Sequence, residues 1–294
     1  MASRACAWHA RLAHALRAED AILSFNYDCL IDRALAREAP RRWRAADGYG
    51  FPIERGTDQW ESPPGPGAAY KNPILLLKPH GSLNWEISDD RDEVELVEPY
   101  GPQTAHSVVP PTWEKSDVGQ WPWKPVWRAA RQVLAQARML VVVGYSVPLT
   151  DQLSQSLLRA DVAKLSYLVV VNPDRGARDR VVSLFASALG PQSTIHHLQD
   201  MRLFAMHLPA SKSEQKQSEL EARLDAAEAR LDELSLESST ELDEVRDTLD
   251  RLTEAAEDFE DRFASTDSDA RVLLDRLADL DARLDSVAAS LDPR

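Results

Sequence analysis

Three short apolar runs of this chain end in small or polar residues that suit a binding site. The runs are residues 22–25, 74–77 and 140–143, and they lead into Asn26, His80 and Gly144. Apolar runs of this length predict buried strands. In an open parallel sheet, ligands bind at the carboxyl ends of the strands. The sequence therefore predicts an α/β sheet that brings three strand ends to one shared site.

Residues 1–208 are predicted to form one α/β domain with a mostly parallel sheet. Further strands are predicted at residues 167–171 and 194–197, and helices at residues 5–17, 30–38, 126–137, 152–160 and 178–188. In the second half of this domain, strands alternate with helices, as in parallel sheets with crossover helices. The valine-rich runs lack polar alternation, which predicts strands buried on both faces.

Residues 219–294 are predicted to form an acidic coiled-coil helix or helical hairpin, after a linker at residues 209–218. No Gly or Pro occurs from 219 to 291, and apolar residues recur every three or four positions. This spacing is typical of a coiled coil, and a four-residue slip between Leu234 and Leu242 predicts a stutter. Residues 265–269 also fit a break or a turn, so the sequence is compatible with either one long rod or a helical hairpin. A disordered acidic tail is the alternative.

Charge and composition exclude several classes of function. The net charge is −14, and residues 213–294 hold 25 acidic against 10 basic residues, which leaves the first part close to neutral. This charge distribution lacks the basic patch that is typical of proteins that bind nucleic acid. No apolar run is long enough to span a membrane, and the N-terminus does not look like a signal peptide, so we predict a cytoplasmic protein. The two cysteines, Cys6 and Cys29, cannot build a four-cysteine zinc site, and no metal ligands are predicted.

Asn26, Asp28 and His80 are the candidate catalytic residues. The Asn26 amide both donates and accepts hydrogen bonds, so it can orient a water molecule or a sugar hydroxyl, and Asp28 adds a carboxylate two residues later. The alternative for Asn26 is a turn residue that caps the helix at residues 30–38. A neutral imidazole accepts a proton near physiological pH, which makes His80 a candidate general base. A purely structural histidine is the alternative.

Gly144, Ser146 and Asn172 are the candidate ligand-binding residues at the next two strand ends. A glycine lets a ligand approach the backbone closely, and a serine hydroxyl can bond to phosphate or ribose. Asn172 ends the following strand and can face the same ligand. Tight turns between strand and helix are the alternative for all three residues. The aromatic cluster at residues 121–127 is predicted to pack the start of the following helix, with a stacking platform as its alternative.

Together these segments resemble the SIR2-like (sirtuin-like) family, the bacterial and archaeal relatives of sirtuins. Order and spacing agree over residues 20–175, and the tail lies outside the resemblance. The matching segments are Ser24-Phe25-Asn26-Tyr27-Asp28, Lys78-Pro79-His80-Gly81-Ser82, Val109-Pro110-Pro111-Thr112 with Lys115, Val143-Gly144-Tyr145-Ser146 with Asp151, and Val171-Asn172-Pro173.

The resemblance implies a Rossmann-type sheet that binds NAD as its substrate and cleaves the nicotinamide–ribose bond. The residues that it assigns to the nicotinamide ribose are Asn26, Asp28 and His80, and those that it assigns to the adenosine half are Gly144, Ser146 and Asn172. Cleavage passes through an oxocarbenium-like transition state, so water positioning and proton removal matter most. Members of the sirtuin-like branch often serve as NAD-consuming effectors in bacterial defence against phage.

Two features depart from the family pattern. Sirtuin deacylases carry a four-cysteine zinc module, so protein deacylation is the less favoured alternative. The family begins with a strand and a Gly-Ala-Gly turn that holds the NAD pyrophosphate, and no such turn precedes Asn26. Either the chain starts downstream of its natural N-terminus, or the loop is lost and the domain is an inactive module that works through its coiled coil. In both cases the tail is predicted to self-associate or to dock a partner protein.

Overall fold

The computed structural model describes most of the chain. The described residues are 6–53, 74–88, 93–97, 107–108, 122–160, 162, 164–233, 239–263 and 268–291. The chain forms two compact units, of which one holds Arg11–Pro209 and the other holds Ala210–Arg294 together with Met1–Ala10. The division between Pro209 and Ala210 falls within the stretch in which the sequence predicts a linker.

The elements up to residue 208 are six helices and nine strands among the described residues. In chain order they are α1 (Ala7–Ala15), β1 (Ala21–Leu23), α2 (Leu30–Glu38), β2 (Leu75–Leu77), β3 (Gly81–Ser82), β4 (Trp85–Ser88), β5 (Glu93–Leu96), β6 (Ser107–Val108), α3 (Trp123–Gln136), β7 (Met139–Val143), α4 (Gln152–Ala160), β8 (Leu165–Val171), α5 (Arg175–Leu184), β9 (Leu189–Leu198) and α6 (Met201–Ala205). Every strand and helix predicted here has a counterpart, although several ends are shifted. The mixed α/β class is therefore confirmed.

Two sets of strands pair in parallel. β1 pairs with β2, and β7, β8 and β9 form a three-stranded sheet in that order. Helix α4 connects β7 to β8, and α5 connects β8 to β9. Parallel neighbours need such a crossover because a tight turn cannot bring the chain back to the same end of the sheet. The prediction of parallel strands with crossover helices is confirmed.

Two antiparallel pairs occur between residues 81 and 108, where no strands are predicted. β3 pairs with β6, and β4 pairs with β5. In β5, the buried Val94 and Leu96 alternate with the half-buried Glu93 and Glu95. This alternation is the pattern of a strand with one face in the core, so the sequence contained a signal for β5.

The β7–β8–β9 sheet is buried more deeply on one face than on the other. Leu168 and Val170 lie on the buried face and are 0% exposed. Met139 and its register partner Tyr167 lie on the opposite face and are 60% and 49% exposed. Val143 lies on the same face as Met139 and is 46% exposed. The prediction that these strands are buried on both faces is therefore wrong for β7, whose five residues are all exposed or half-buried.

Aromatic side chains fill the core of the α/β unit. Trp43, Tyr49 and Trp85 are each at most 1% exposed. Their rings meet edge to face, with centroids 5.5 Å apart for Trp43 and Tyr49 and 5.1 Å apart for Tyr49 and Trp85. Such pairs contribute about 0.5–1.5 kcal/mol each beyond the burial of their area.

The predicted packing of the aromatic cluster is confirmed for Trp123 and Trp127. Both lie in the first two turns of α3 and are 9% and 7% exposed. The Trp127 Nε1 donates a hydrogen bond to the Pro79 carbonyl at 3.1 Å. Helix α3 therefore fixes the segment that directly precedes His80. Trp121 lies outside the described residues.

The second unit contains three packed helices, which are α7 (Lys212–Glu233), α8 (Ser239–Phe263) and α9 (Ser268–Leu291). They share one hydrophobic cluster, whose buried members are Leu220, Leu224, Ala227, Leu231, Leu242, Val245, Leu249, Leu252, Ala256, Phe259, Leu273, Leu277, Leu280 and Leu284. Within each helix these positions recur every three or four residues, as the sequence predicts, so the predicted apolar spacing is confirmed.

The tail differs from both predicted arrangements, the single rod and the two-helix hairpin. Arg230 near the end of α7 pairs with Glu244 near the start of α8, and Arg246 pairs with Asp285 near the end of α9, each at 2.6 Å. Neighbouring helices are therefore antiparallel. The slip that predicts a stutter coincides with the change from α7 to α8, in a serine-rich stretch. Serine competes for backbone hydrogen bonds and so favours helix ends over helix interiors.

The described helices do not have the features of a membrane-spanning segment. Among the described residues, no helix combines the length and the hydropathy that crossing a membrane requires. The longest, α8, has 25 residues, but charged side chains occur along its whole length.

Candidate functional site

The loops that follow β1 and β2 are joined to each other. Ser24 N donates to the Leu77 carbonyl, and Leu83 N donates to the Tyr27 carbonyl, both at 2.9 Å. The ring of Tyr27 lies with its centroid 6.3 Å from that of His80. Parallel pairing of the two strands therefore brings the loop with the catalytic candidates of β1 next to the histidine that follows β2.

His80 is buried and is held at the N-terminus of α4. It is 3% exposed, and its Nε2 lies 3.3 Å from Asp151 Oδ2 and 3.1 Å from Ser154 Oγ. Asp151 Oδ1 also accepts a hydrogen bond from Ser154 N at 3.4 Å, so one carboxylate both caps α4 and contacts the imidazole. Because a carboxylate only accepts hydrogen bonds, we assign the proton to Nε2 and the lone pair to Nδ1.

Aromatic rings connect His80 to the loop that follows β7. Phe25 lies 5.3 Å from His80 and stacks on Tyr145 at 5.0 Å, measured between ring centroids. Burial, followed by the charge of Asp151, raises the pKa values of Tyr145 and Tyr27, so both phenols stay neutral. The Tyr145 hydroxyl is buried and has no hydrogen-bond partner among the described residues. The structure thus brings together side chains from the ends of β1, β2 and β7.

Asn26 and Asp28 have different surroundings. Asn26 is exposed, and its backbone N–H donates to Ser24 Oγ at 3.3 Å. Asp28 Oδ1 accepts a hydrogen bond from Leu30 N at 3.0 Å, at the start of α2. The turn role considered for Asn26 therefore falls to Asp28, and Asn26 is exposed on the same loop.

A buried polar network lies beneath these loops, and we did not predict it from the sequence. Lys78 is 0% exposed, and its Nζ donates to the Asp28 carbonyl at 2.6 Å and to Ser82 Oγ at 2.6 Å. The same Nζ forms an ion pair with Asp32 Oδ2 at 3.1 Å. The Tyr49 hydroxyl donates to Asp32 Oδ1 at 2.5 Å. One buried cation thus connects α2 with the loops on either side of His80.

Two signals in the sequence pointed to this network. Lys78 directly follows the apolar run at residues 74–77, and Asp32 follows Leu30 and Ile31 in the helix predicted at residues 30–38. A charge in an apolar context must find a partner, because burying it alone is costly. Burial and the charge of Asp32 also raise the pKa of the Cys29 thiol to about 12, so Cys29 stays protonated at neutral pH.

Gly144 and Asn172 lie at adjacent strand ends. Gly144 N donates to the Val171 carbonyl at 2.9 Å. Its φ of +67° favours glycine, and a Cβ at this position would meet open space, so a ligand can approach the backbone. Asn172 is 6% exposed and its Oδ1 accepts a hydrogen bond from Asp174 N at 2.9 Å, in a turn before α5. The turn role considered for Asn172 is thus observed.

Arg180 joins the loops that carry these candidates. Its Nε donates to the Ser146 carbonyl at 2.9 Å, and its Nη2 lies 3.3 Å from Asp174 Oδ2. Ser146 itself is exposed. The next residue, Val147, is 8% exposed and adopts a φ of +57°, which costs a branched residue about 1–2 kcal/mol. The loop between β7 and α4 therefore holds a strained conformation between Gly144 and Asp151.

The remaining matched segment, Val109–Thr112 with Lys115, lies outside the described residues. Among the residues that the structure describes, no group of three or more His, Cys, Asp or Glu side chains is arranged to hold a metal ion.

The fold and the site define a mixed α/β protein in which parallel strand ends gather around a buried histidine. A scan against protein-family models found no match, and neither did a search of the curated proteins. The family resemblance therefore rests on the residues quoted above and stays a prediction.

Proposed function

We propose that this chain is a sirtuin-like NAD-binding protein that cleaves the nicotinamide–ribose bond of NAD. The observation that carries the proposal is the His80–Asp151 contact at the meeting point of three strand ends, with Asn26 on the adjoining loop. Ligands bind at this edge in open parallel sheets. The unpartnered Tyr145 hydroxyl fits a ligand in the same place, because buried hydroxyl groups normally have a partner.

In the proposed reaction, His80 acts as the general base. Asp151 holds the Nε2 proton, so Nδ1 is the atom that takes a proton from the attacking water. Asn26 orients this water and the nicotinamide ribose. Gly144, through its open backbone approach, and Asn172 bind the adenosine half. The oxocarbenium-like transition state gains most from such fixed dipoles.

An NAD turnover assay on the purified chain tests this proposal. We expect Asn26→Ala and His80→Ala each to slow NAD cleavage about a hundredfold or more, because Asn26 positions the water and His80 takes its proton. Asn26 is exposed, so its variant reports on chemistry without disturbing the core. His207→Ala is the matched control, because His207 is exposed and lies outside the site. A wild-type chain that consumes no NAD, or an Asn26→Ala variant as active as wild type, would refute the hydrolase.

The second candidate function is a catalytically inactive interaction module. It is favoured by the burial of His80, which is 3% exposed, and by the use of Asp28 and Asn172 as turn residues. In this proposal the helical tail carries the function by docking a partner protein or by self-association as a coiled coil. A cytoplasmic location and a role in defence against phage stay predictions for both candidates, and protein deacylation stays the least favoured.

Sedimentation distinguishes the modes of association proposed for the tail. The apolar register of α7, α8 and α9 is buried in a cluster within one chain, so a second copy is not needed to cover it. We therefore expect the chain alone to sediment as a monomer of 32.8 kDa. A mass that is a multiple of this value, and that falls to the monomer when residues 210–294 are removed, would instead support self-association through a coiled coil.

A further inference from the structure

A recess of about 480 Å³ lies where β9 ends and α5 begins. His197 contributes from β9, and Arg175, Arg178 and Asp179 contribute from the first turns of α5. This volume falls in the range of small-molecule sites. The recess also lies at the carboxyl end of a parallel strand, where open sheets bind their ligands.

The recess carries a net positive charge. Arg175 is exposed and forms no hydrogen bond or ion pair among the described residues. Arg178 Nη1 pairs with Asp179 Oδ1 at 2.5 Å, and both side chains are exposed. An exposed pair of this kind contributes little stability, so Arg178 can turn to another anion at small cost. A lining with two guanidinium groups and one carboxylate suits a phosphate, which arginine binds through two parallel hydrogen bonds.

Asp174, the carboxylate closest in sequence to Asn172, already has hydrogen-bond partners. Asp174 Oδ1 accepts a hydrogen bond from Gly176 N at 2.8 Å, and Oδ2 pairs with Arg180. The hydrogen bond from Gly176 N holds the pKa of Asp174 below its usual range. In dinucleotide sites, a carboxylate near the ribose selects the 2′-hydroxyl, whereas an arginine accommodates a 2′-phosphate. Here the carboxylate caps α5, and Arg175 has no partner among the residues that the structure describes.

His197 connects the recess to the candidate adenosine site, because its Nε2 lies 2.9 Å from the Asn172 carbonyl. We propose that this recess binds a phosphomonoester on the adenosine ribose, so that the chain prefers a 2′-phosphorylated dinucleotide to NAD. The inference rests on the proposed function, since it takes Asn172 to lie beside that ribose. It goes further by specifying which form of the dinucleotide is the substrate.

Calorimetric titration of the full chain with two nucleotides tests this inference. We expect adenosine 2′,5′-bisphosphate to bind about tenfold tighter than 5′-AMP, the gain of one charge-assisted hydrogen bond. The double variant Arg175→Gln, Arg178→Gln should lose this preference and retain its affinity for 5′-AMP. Arg202→Gln is the matched control, because Arg202 is 76% exposed and does not line the recess. It should behave as wild type.

Each other outcome overturns a defined part of the argument. Equal affinities for the two nucleotides, or a preference that survives in the double variant, would reject the phosphate recess and leave the nucleotide site intact. A wild-type chain that binds neither nucleotide would reject the proposed function and this inference with it. Inorganic phosphate that competes as well as the bisphosphate would assign the recess to a free anion and reject the link to adenosine.

Discussion

Replacing Lys78 with Met is expected to destabilise the α/β unit by about 3–5 kcal/mol. The Lys78 ammonium is fully buried and forms an ion pair with Asp32. Methionine matches the length of the lysine stem but donates no hydrogen bond, so Asp32 would keep a buried charge without its cation. Urea unfolding followed by tryptophan fluorescence measures the loss, because seven of the eight tryptophans lie in Arg11–Pro209.

Two controls separate the ion pair from a general effect of losing a lysine. Lys124→Met changes an exposed lysine of the same unit and should shift the free energy of unfolding by less than about 0.5 kcal/mol. Adding Asp32→Leu to Lys78→Met removes both charges and should recover part of the stability, since an apolar replacement of a buried pair is often neutral. If the double variant is as unstable as the sum of the two single variants, Lys78 and Asp32 are not coupled.

The elements that could be predicted are those whose signal is local. The Leu165–Val171 run specifies β8 by its own apolar length, and the three-and-four spacing of the tail identifies its buried positions. The exposure of β7 could not be predicted, because it depends on which other elements of the fold pack against this strand. The number of tail helices was missed for a related reason. A slip in the apolar register fits a stutter and a helix break equally well.

The candidate site could be predicted only in part. Asn26 and His80 stand out because they follow apolar runs, and the structure joins their loops. The contacts that define the surroundings of His80 come from far along the chain, with Ser154 74 positions away. Lys78 and Asp32 are 46 positions apart. No local pattern specifies such contacts, because they depend on how the strands and helices pack.

Replacing Leu284 with Asp is expected to unfold the three-helix unit and to remove about half of the helical circular dichroism. Leu284 is 0% exposed within the cluster that α7, α8 and α9 share. A carboxylate there would lack a partner, so the cost should exceed the about 2–5 kcal/mol of a buried Leu→Ala change. Helices of 22, 25 and 24 residues depend on this packing, since isolated helices are marginal in water. Far-UV circular dichroism of the full chain measures the loss.

Val272→Asp is the matched control for this prediction. It introduces the same charge on the same helix, but Val272 is 52% exposed, so the carboxylate stays in contact with water. This variant should keep the wild-type spectrum. Tryptophan fluorescence should change little in both variants, because seven of the eight tryptophans lie in Arg11–Pro209 and this α/β unit has its own core. A wild-type spectrum for Leu284→Asp would contradict the shared core, because a buried charge cannot leave that packing intact.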